Sequence, residues 1–213
     1  MKIKIFVLNP FQMNCYLYYN ETKGDGIIID PAAYEKYEEY EILSFINEKN
    51  IKIKYIINTH GHIDHVLGNK FAKNNFNCPL LIHIDDLFLL NNSCAQGILY
   101  NLKVDKSPEP EGFITEDLKI KLNETEINFI HTPGHSLGGV CIVDHLNKII
   151  FSGDTIFKES IGRTDLPGGK IDILLNSIKN KLFLKCDDDY TLYPGHMEET
   201  TIGNEKKYNP FLK

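Results

Sequence analysis

The sequence predicts an α+β fold with the four-layer order αββα, two sheets packed face to face with helices outside. Strand-like segments followed by a helical segment occur twice, once in each half of the chain. No composition shift or Ser/Gly-rich linker divides the 213 residues, so one domain spanning 1–213 is expected. Periodicity alone also allows a three-layer α/β domain.

The elements are read in order. Lys2 to Leu8 and Met13 to Tyr19 alternate as strands around an Asn-Pro turn, and Gly26 to Asp30 adds a third before Pro31 stops it. Tyr34 to Asn50 sets Tyr37, Tyr40, Ile42, Leu43, Phe45 and Ile46 at roughly helical spacing, predicting an amphipathic helix over that sheet. Lys52 to Asn58 is a strand, His65 to Asn75 a helix with Asp64 near its N-cap, Leu80 to His83 a strand, and Asp85 to Asn91 a short helix. Residues 92–112 give no clear pattern. Strands follow at Leu118 to Leu122, Glu126 to His131, Gly139 to Val143 and Lys148 to Ser152, with a hairpin at His145 to Asn147. Lys170 to Phe183 reads as a helix and Tyr190 to Tyr193 as a last strand.

A formal net charge of -6 and a single arginine, Arg163, leave no basic stripe for phosphates, so no nucleic-acid partner is expected. The apolar start ends at Asn9-Pro10, short of a signal-peptide core, and no segment is suited to span a bilayer; no membrane partner is expected. Five cysteines with no CxxC spacing predict neither a disulfide framework nor a thiolate zinc site, but reduced, mostly buried thiols in a cytoplasmic compartment. Nothing in the sequence speaks to oligomeric state.

The chemistry concentrates in THGHIDH, residues 59–65, where His60, His62, Asp64 and His65 follow directly on a strand. Chance would produce that pattern on the order of once in a thousand such chains, so metal binding is the working expectation. Side chains two apart on an extended chain share a face. His60 and His62 are therefore expected to approach one ion, while Asp64 and His65, past a bend, face elsewhere. His135 in HTPGHS, Asp154 in FSGDT and His196 in LYPGH stand at later strand ends, each beside the Gly or Pro that a sharp turn requires.

THGHIDH, TPGHS, SGDT and PGH, in this order, resemble the metallo-β-lactamase superfamily, and closer in the chain resembles its glyoxalase II-like hydrolases. That likeness runs from NCYLYY through IGRTDLPGG to ETTIGNEKKYNP. The resemblance implies the metallo-β-lactamase fold, with His60, His62 and His135 on one metal, Asp64, His65 and His196 on a second, and Asp154 bridging them. All seven are N or O donors, suiting zinc first, with iron or manganese as alternatives among which the sequence does not choose.

Two divalent ions about 3.5 to 4 Å apart lower the pKa of a shared water from about 15.7 towards 7, giving a bridging hydroxide as nucleophile. A thioester releases a thiolate whose conjugate acid has a pKa near ~8.5, so no strong general acid is required; Asp64 or a metal-bound water is the candidate proton donor. The expected substrate is a small-molecule thioester such as S-2-hydroxyacylglutathione. No separate C-terminal glutathione-binding domain is expected, since the chain ends soon after His196.

Other readings remain open. One is a mononuclear-iron sulfur (persulfide) dioxygenase with iron on His60, His135 and Asp154, since GRTD at 162–165 resembles that branch too. Less favoured are a phosphodiesterase or nuclease, which the missing basic surface opposes, and a non-catalytic metal module. Arg163 implies a bidentate partner, either a local carboxylate such as Asp165 or a substrate anion, and it is kept as a substrate-binding candidate. His83 reads as a strand-end residue, His145 as a solvated turn residue and His131 as structural or as support for a ligand.

Overall fold

Apolar residues that alternate or run together place the strands, and the computed structural model, which describes every residue from Met1 to Lys213, groups them in two units, Met1–Phe113 and Ile114–Lys213. In the first unit β1 (Lys2–Leu8), β2 (Met13–Tyr19) and β3 (Asp25–Ile29) form an antiparallel meander. Helix α1 (Lys36–Glu48) leads to β4 (Lys52–Ile57), which lies parallel to β3. Two short helices, α2 (Ile63–Val66) and α3 (Asn69–Phe76), precede β5 (Leu80–His83), which is parallel to β4. Then come α4 (Leu87–Asn91), α5 (Ser93–Leu99) and β6 (Gly112–Ile114), giving a sheet in the order β1-β2-β3-β4-β5-β6.

Ile42 and Ile46 of α1 and Phe71 and Ala72 of α3 pack with Phe6, Cys15, Leu17, Ile28, Ile56 and Leu80 of that sheet. Each of the Ile, Leu and Phe side chains among these contributes about 1.5–3 kcal/mol when fully buried. The apolar stripe of α1 is narrower than its sequence suggests: Tyr37 and Tyr40 are 70% and 73% exposed, and Glu38 is buried instead. Burying that carboxylate is tolerable because it accepts hydrogen bonds from the backbone N–H groups of Asn9 (2.6 Å), Tyr34 (2.7 Å) and Glu35 (2.9 Å). They fix the helix start against the β1–β2 turn.

The single helix expected over His65 to Asn75 is split. Gly68 leaves helical geometry, and a Cβ there would lie 2.2 Å from the Pro31 carbonyl oxygen, so the chain breaks where two backbones meet. Asp64 falls in the first turn of α2, with His62 in the cap position. Residues 93–99, unreadable in the sequence, form α5.

In the second unit β7 (Ile120–Leu122), β8 (Thr125–His131), β9 (Val140–Asp144) and β10 (Ile149–Gly153) run antiparallel. A small hairpin, β11 (Ile156–Phe157) with β12 (Ser160–Ile161), follows. Helix α6 (Ile171–Ser177) passes through a widened π-type turn at 178–182 into α7 (Phe183–Lys185). Next come β13 (Thr191–Pro194), parallel to β10, then β14 (Thr200–Thr201) and α8 (Ile202–Tyr208); the sheet order is β14-β13-β10-β9-β8-β7. Leu174, Ile178, Leu182 and Ile202 pack with Ile130, Cys141, Val143, Ile150 and Leu192. No helix is long and apolar enough to cross a membrane.

The cysteines are all free, four buried and Cys94 exposed. Burial pushes the Cys141 and Cys78 thiols up to about 11 and the Cys186 thiol up to about 12. With folded values raised above the unfolded one, their contribution to stability is intact below about pH 9 and lost as pH rises through the folded values. The denaturant midpoint should thus fall as pH rises above about 9, for buried Cys141 over the span from about 9 to about 11. Replacing Cys141 with Ala or Ser should flatten that decline, and an unchanged slope refutes the assignment.

Candidate metal centre

Parallel neighbours β3 and β4 end together, with Ile29 opposite Ile57, so Asp30 emerges beside the start of the 58–65 loop. Asp30 is buried and adopts a left-handed backbone (φ 49°), a conformation Asp tolerates better than most residues. Its carboxylate accepts the backbone N–H of Thr59 (2.7 Å) and the Thr59 hydroxyl (2.6 Å), and lies 2.9 Å from His65 Nδ1.

These partners fix the imidazole tautomers. A carboxylate only accepts, so His65 carries its hydrogen on Nδ1 and presents the Nε2 lone pair. The Thr59 hydroxyl has spent its one hydrogen on Asp30, so towards His60 Nδ1, 3.2 Å away, it also only accepts, and His60 too presents Nε2. The His60 ring centroid lies 4.8 Å from that of His62 and 4.0 Å from that of His65. His60 thus packs between His62 and His65, the α2 turn bringing the His65 ring alongside while the Asp64–His65 pair stays a separate cluster of donors. Asp64 Oδ2 lies 3.9 Å from His65 Nε2, and the Asp64 carbonyl accepts a bond from Asn9 Nδ2 (2.9 Å).

In the second unit Asp154 and His196 leave adjacent parallel strands. Gly153 pairs with Pro194, and the Gly195 N–H donates to the Gly153 carbonyl at 2.9 Å. His135 belongs to the turn after β8, where the Gly134 N–H bonds the Ser136 carbonyl and Ser177 Oγ bonds the Pro133 carbonyl. One oxygen of Asp154, Oδ2, lies 3.6 Å from His135 Nε2 and 3.8 Å from His196 Nε2. His135 Nδ1 lies 2.8 Å from the Arg163 carbonyl, which only accepts, so His135 also presents Nε2.

The Arg163 guanidinium makes two bonds to Asp165, from Nε (2.8 Å) and Nη2 (2.7 Å), holding the Asp165 carboxyl down at about 2. This is the local bidentate pair, and through it the carbonyl that orients His135 sits in a braced loop. His131 Nε2 lies 2.9 Å from the Leu137 carbonyl, tying the same turn, and His145 is exposed in its turn, as expected, with Nδ1 2.9 Å from the Tyr190 hydroxyl.

Gly162 is a glycine because the site leaves no room: a Cβ there would lie 1.9 Å from the Asp154 carbonyl oxygen and 3.1 Å from His135 Nδ1. Gly162→Ala is expected to displace one or both, costing roughly 1–3 kcal/mol from overpacking and depleting bound metal. Metal content and thermal midpoint measured on the same sample test this; wild-type values for both refute it.

Four side chains in the first unit and three in the second are thus candidate metal ligands. The donor set fits a borderline divalent ion: imidazole nitrogens held in the ligating tautomer, with carboxylates beside them and no thiolate. Reading the sequence missed the residues that hydrogen-bond the ligand loop, namely Asp30, Asn9, Asp86 and Gln96. The signal for Asp30 was its place directly before Pro31 at a strand end; the others carried none.

Mixed sheets with His and Asp donors gathered at strand ends define a metallohydrolase scaffold. The chain belongs to the metallo-β-lactamase superfamily, whose family model matches residues 8–196, and it has the metallo-β-lactamase fold. It is 35% identical over 214 residues to the hydroxyacylglutathione hydrolase GloC of Haemophilus influenzae, covering 100% of this chain and 98% of that protein. Among solved structures, it is similar to BLEG-1 B3 metallo-β-lactamase, with a TM-score of 0.90 and 30% identity over 99% of both chains. It is also similar to TTHA1623 in a di-iron-bound form, with a TM-score of 0.85 and 31% identity over 98% of this chain and 99% of that one.

Proposed function

We propose that this protein is a dinuclear metal-dependent hydrolase of small-molecule thioesters, of the S-2-hydroxyacylglutathione type, working as a single domain over 1–213. His60, His62 and His135 would hold one ion, Asp64, His65 and His196 the other, and Asp154 would serve both. The observation that carries the reading is that Asp154 turns one oxygen towards both His135 and His196, the geometry a carboxylate shared by two ions requires. The 35% identity to a hydroxyacylglutathione hydrolase supports the substrate class, and the di-iron-bound relative supports a two-metal site, with zinc, iron and manganese all suited to the donors.

When bound, the ions supply Lewis-acid activation of water and of the substrate carbonyl. Asp30 and the Arg163 carbonyl hold the imidazoles in place throughout. Asp64 would stand beside the centre as the side chain able to hold a proton for the departing sulfur, an undemanding role because a thiol has a pKa near ~8.5. The two Asp carboxylates leave the centre net positive, which attracts an anionic acyl or thiol group.

The test is metal content of the purified protein together with thiol release from S-lactoylglutathione. Two ions per chain with thioester turnover support the reading. Oxygen consumption on glutathione persulfide with about one iron per chain overturns it in favour of the dioxygenase. A β-lactam run in parallel addresses the activity named for the 30%-identical lactamase; an amide nitrogen leaves only once protonated, so the thioester should be turned over faster.

A further inference from the structure

We infer that Gln96 is a positioning residue that sets the place of His62 and so the affinity of the ion His62 holds; this rests on the two-ion reading above. Gln96 lies on α5, yet its amide reaches the ligand loop on both sides of His62. Oε1 accepts the Ile63 N–H at 3.1 Å, and Nε2 donates to the Gly61 carbonyl at 3.1 Å and to the Leu89 carbonyl at 2.8 Å. Two carbonyls need the NH₂ end and one N–H needs the oxygen, so the three partners admit a single amide orientation.

The Gly61 N–H is held in turn by Asp86 Oδ2 at 2.9 Å. Gly61 has no space to move into: a Cβ there would lie 2.7 Å from Leu89 Cβ and 2.9 Å from the Asp86 carbonyl oxygen. The backbone flanking His62 is thus clamped by residues 86–96, whereas His60 and His65 are anchored through Thr59 and Asp30. His62 alone stands between the two Gln96 bonds to the loop, whereas His60 and His65 have their own anchors, so loosening this clamp should act most on the His62 ion and less on the Asp64–His65–His196 ion.

The experiment compares metal-free wild type, Gln96→Ala and Gln96→Leu, the latter filling the same volume without hydrogen bonds. Each is titrated with Co(II) against a chelator while the visible Co(II) bands and the metal-free thermal midpoint are recorded. In both variants one of two ions should bind about 10–100-fold more weakly, the range for losing a partner that orients a ligand. Its bands should shift, the second ion should be weakened clearly less, and any fall in the metal-free midpoint should leave the protein folded at the titration temperature. Two wild-type affinities in Gln96→Leu overturn the inference, as does an equal loss at both ions with a fallen midpoint, which marks a merely structural role. A wild type that takes up one Co(II) overturns the two-ion reading itself. Gln96 is then judged on that ion: a 10–100-fold loss upholds the inference and an unchanged affinity ends it.

Discussion

Asp154→Ala is expected to leave a folded protein with less than one tightly held ion per chain and thioester turnover reduced by more than about a thousandfold, well beyond the 10–100-fold typical when only an outer partner of a ligand is changed. Asp154 Oδ2 stands 3.6 Å from His135 Nε2 and 3.8 Å from His196 Nε2, and these imidazoles are proposed for different ions. Removing the carboxylate therefore takes a ligand from both positions and one negative charge from between two cations. Asp154→Asn keeps the shape and one acceptor oxygen but not the charge, so it should retain more metal than the alanine variant while remaining slow. Metal analysis, circular dichroism and thiol release on matched samples decide the matter. Near-normal turnover by the alanine variant ends the bridging assignment.

Changing Asp30 should have the second largest effect, and its two variants should part company. Asp30→Ala removes the acceptor for the Thr59 N–H, the Thr59 hydroxyl and His65 Nδ1 at once. Buried donors left without acceptors cost about 1–3 kcal/mol each, and alanine at φ 49° adds roughly 1 kcal/mol, so a loss of at least about 3 kcal/mol is expected. Asp30→Asn tolerates that backbone and should fold. Its amide, however, can turn an NH₂ towards His65 Nδ1, which then must accept and move its hydrogen to Nε2. The result is an imidazole with no lone pair for a metal, and a roughly 10–100-fold weaker ion at His65 in a protein of near-normal stability. The ¹⁵N chemical shifts of the His65 ring read the tautomer directly; an unchanged Nδ1–H in Asp30→Asn refutes the argument.

The candidate ligands could be nominated from the sequence because their pattern is local: HxHxDH sits within one loop, and His135, Asp154 and His196 each follow a strand and border Gly or Pro. Strand positions were legible for a similar reason, since period-two apolar patterns survive wherever one face is buried. The hydrogen bonds that hold the ligand loop were not legible. Asn9 meets Asp64, Gln96 meets Gly61 and Ile63, and Glu38 meets Asn9 only after folding, and no spacing rule connects residues so far apart. Helix boundaries failed where tertiary packing overrode periodicity: Gly68 breaks a helix because Pro31 lies against it, and Tyr37 and Tyr40 look like core by spacing yet face water.

The accept-only partners at Nδ1 of His60, His65 and His135 have a consequence for how metal is acquired. Each ring is locked before an ion arrives, so the ordering cost is met during folding and little of the coordination energy is lost to reorganisation. Stripping the ions should therefore yield a rigid scaffold ready to reload rather than a loosened loop, with loading limited by ion access and dehydration.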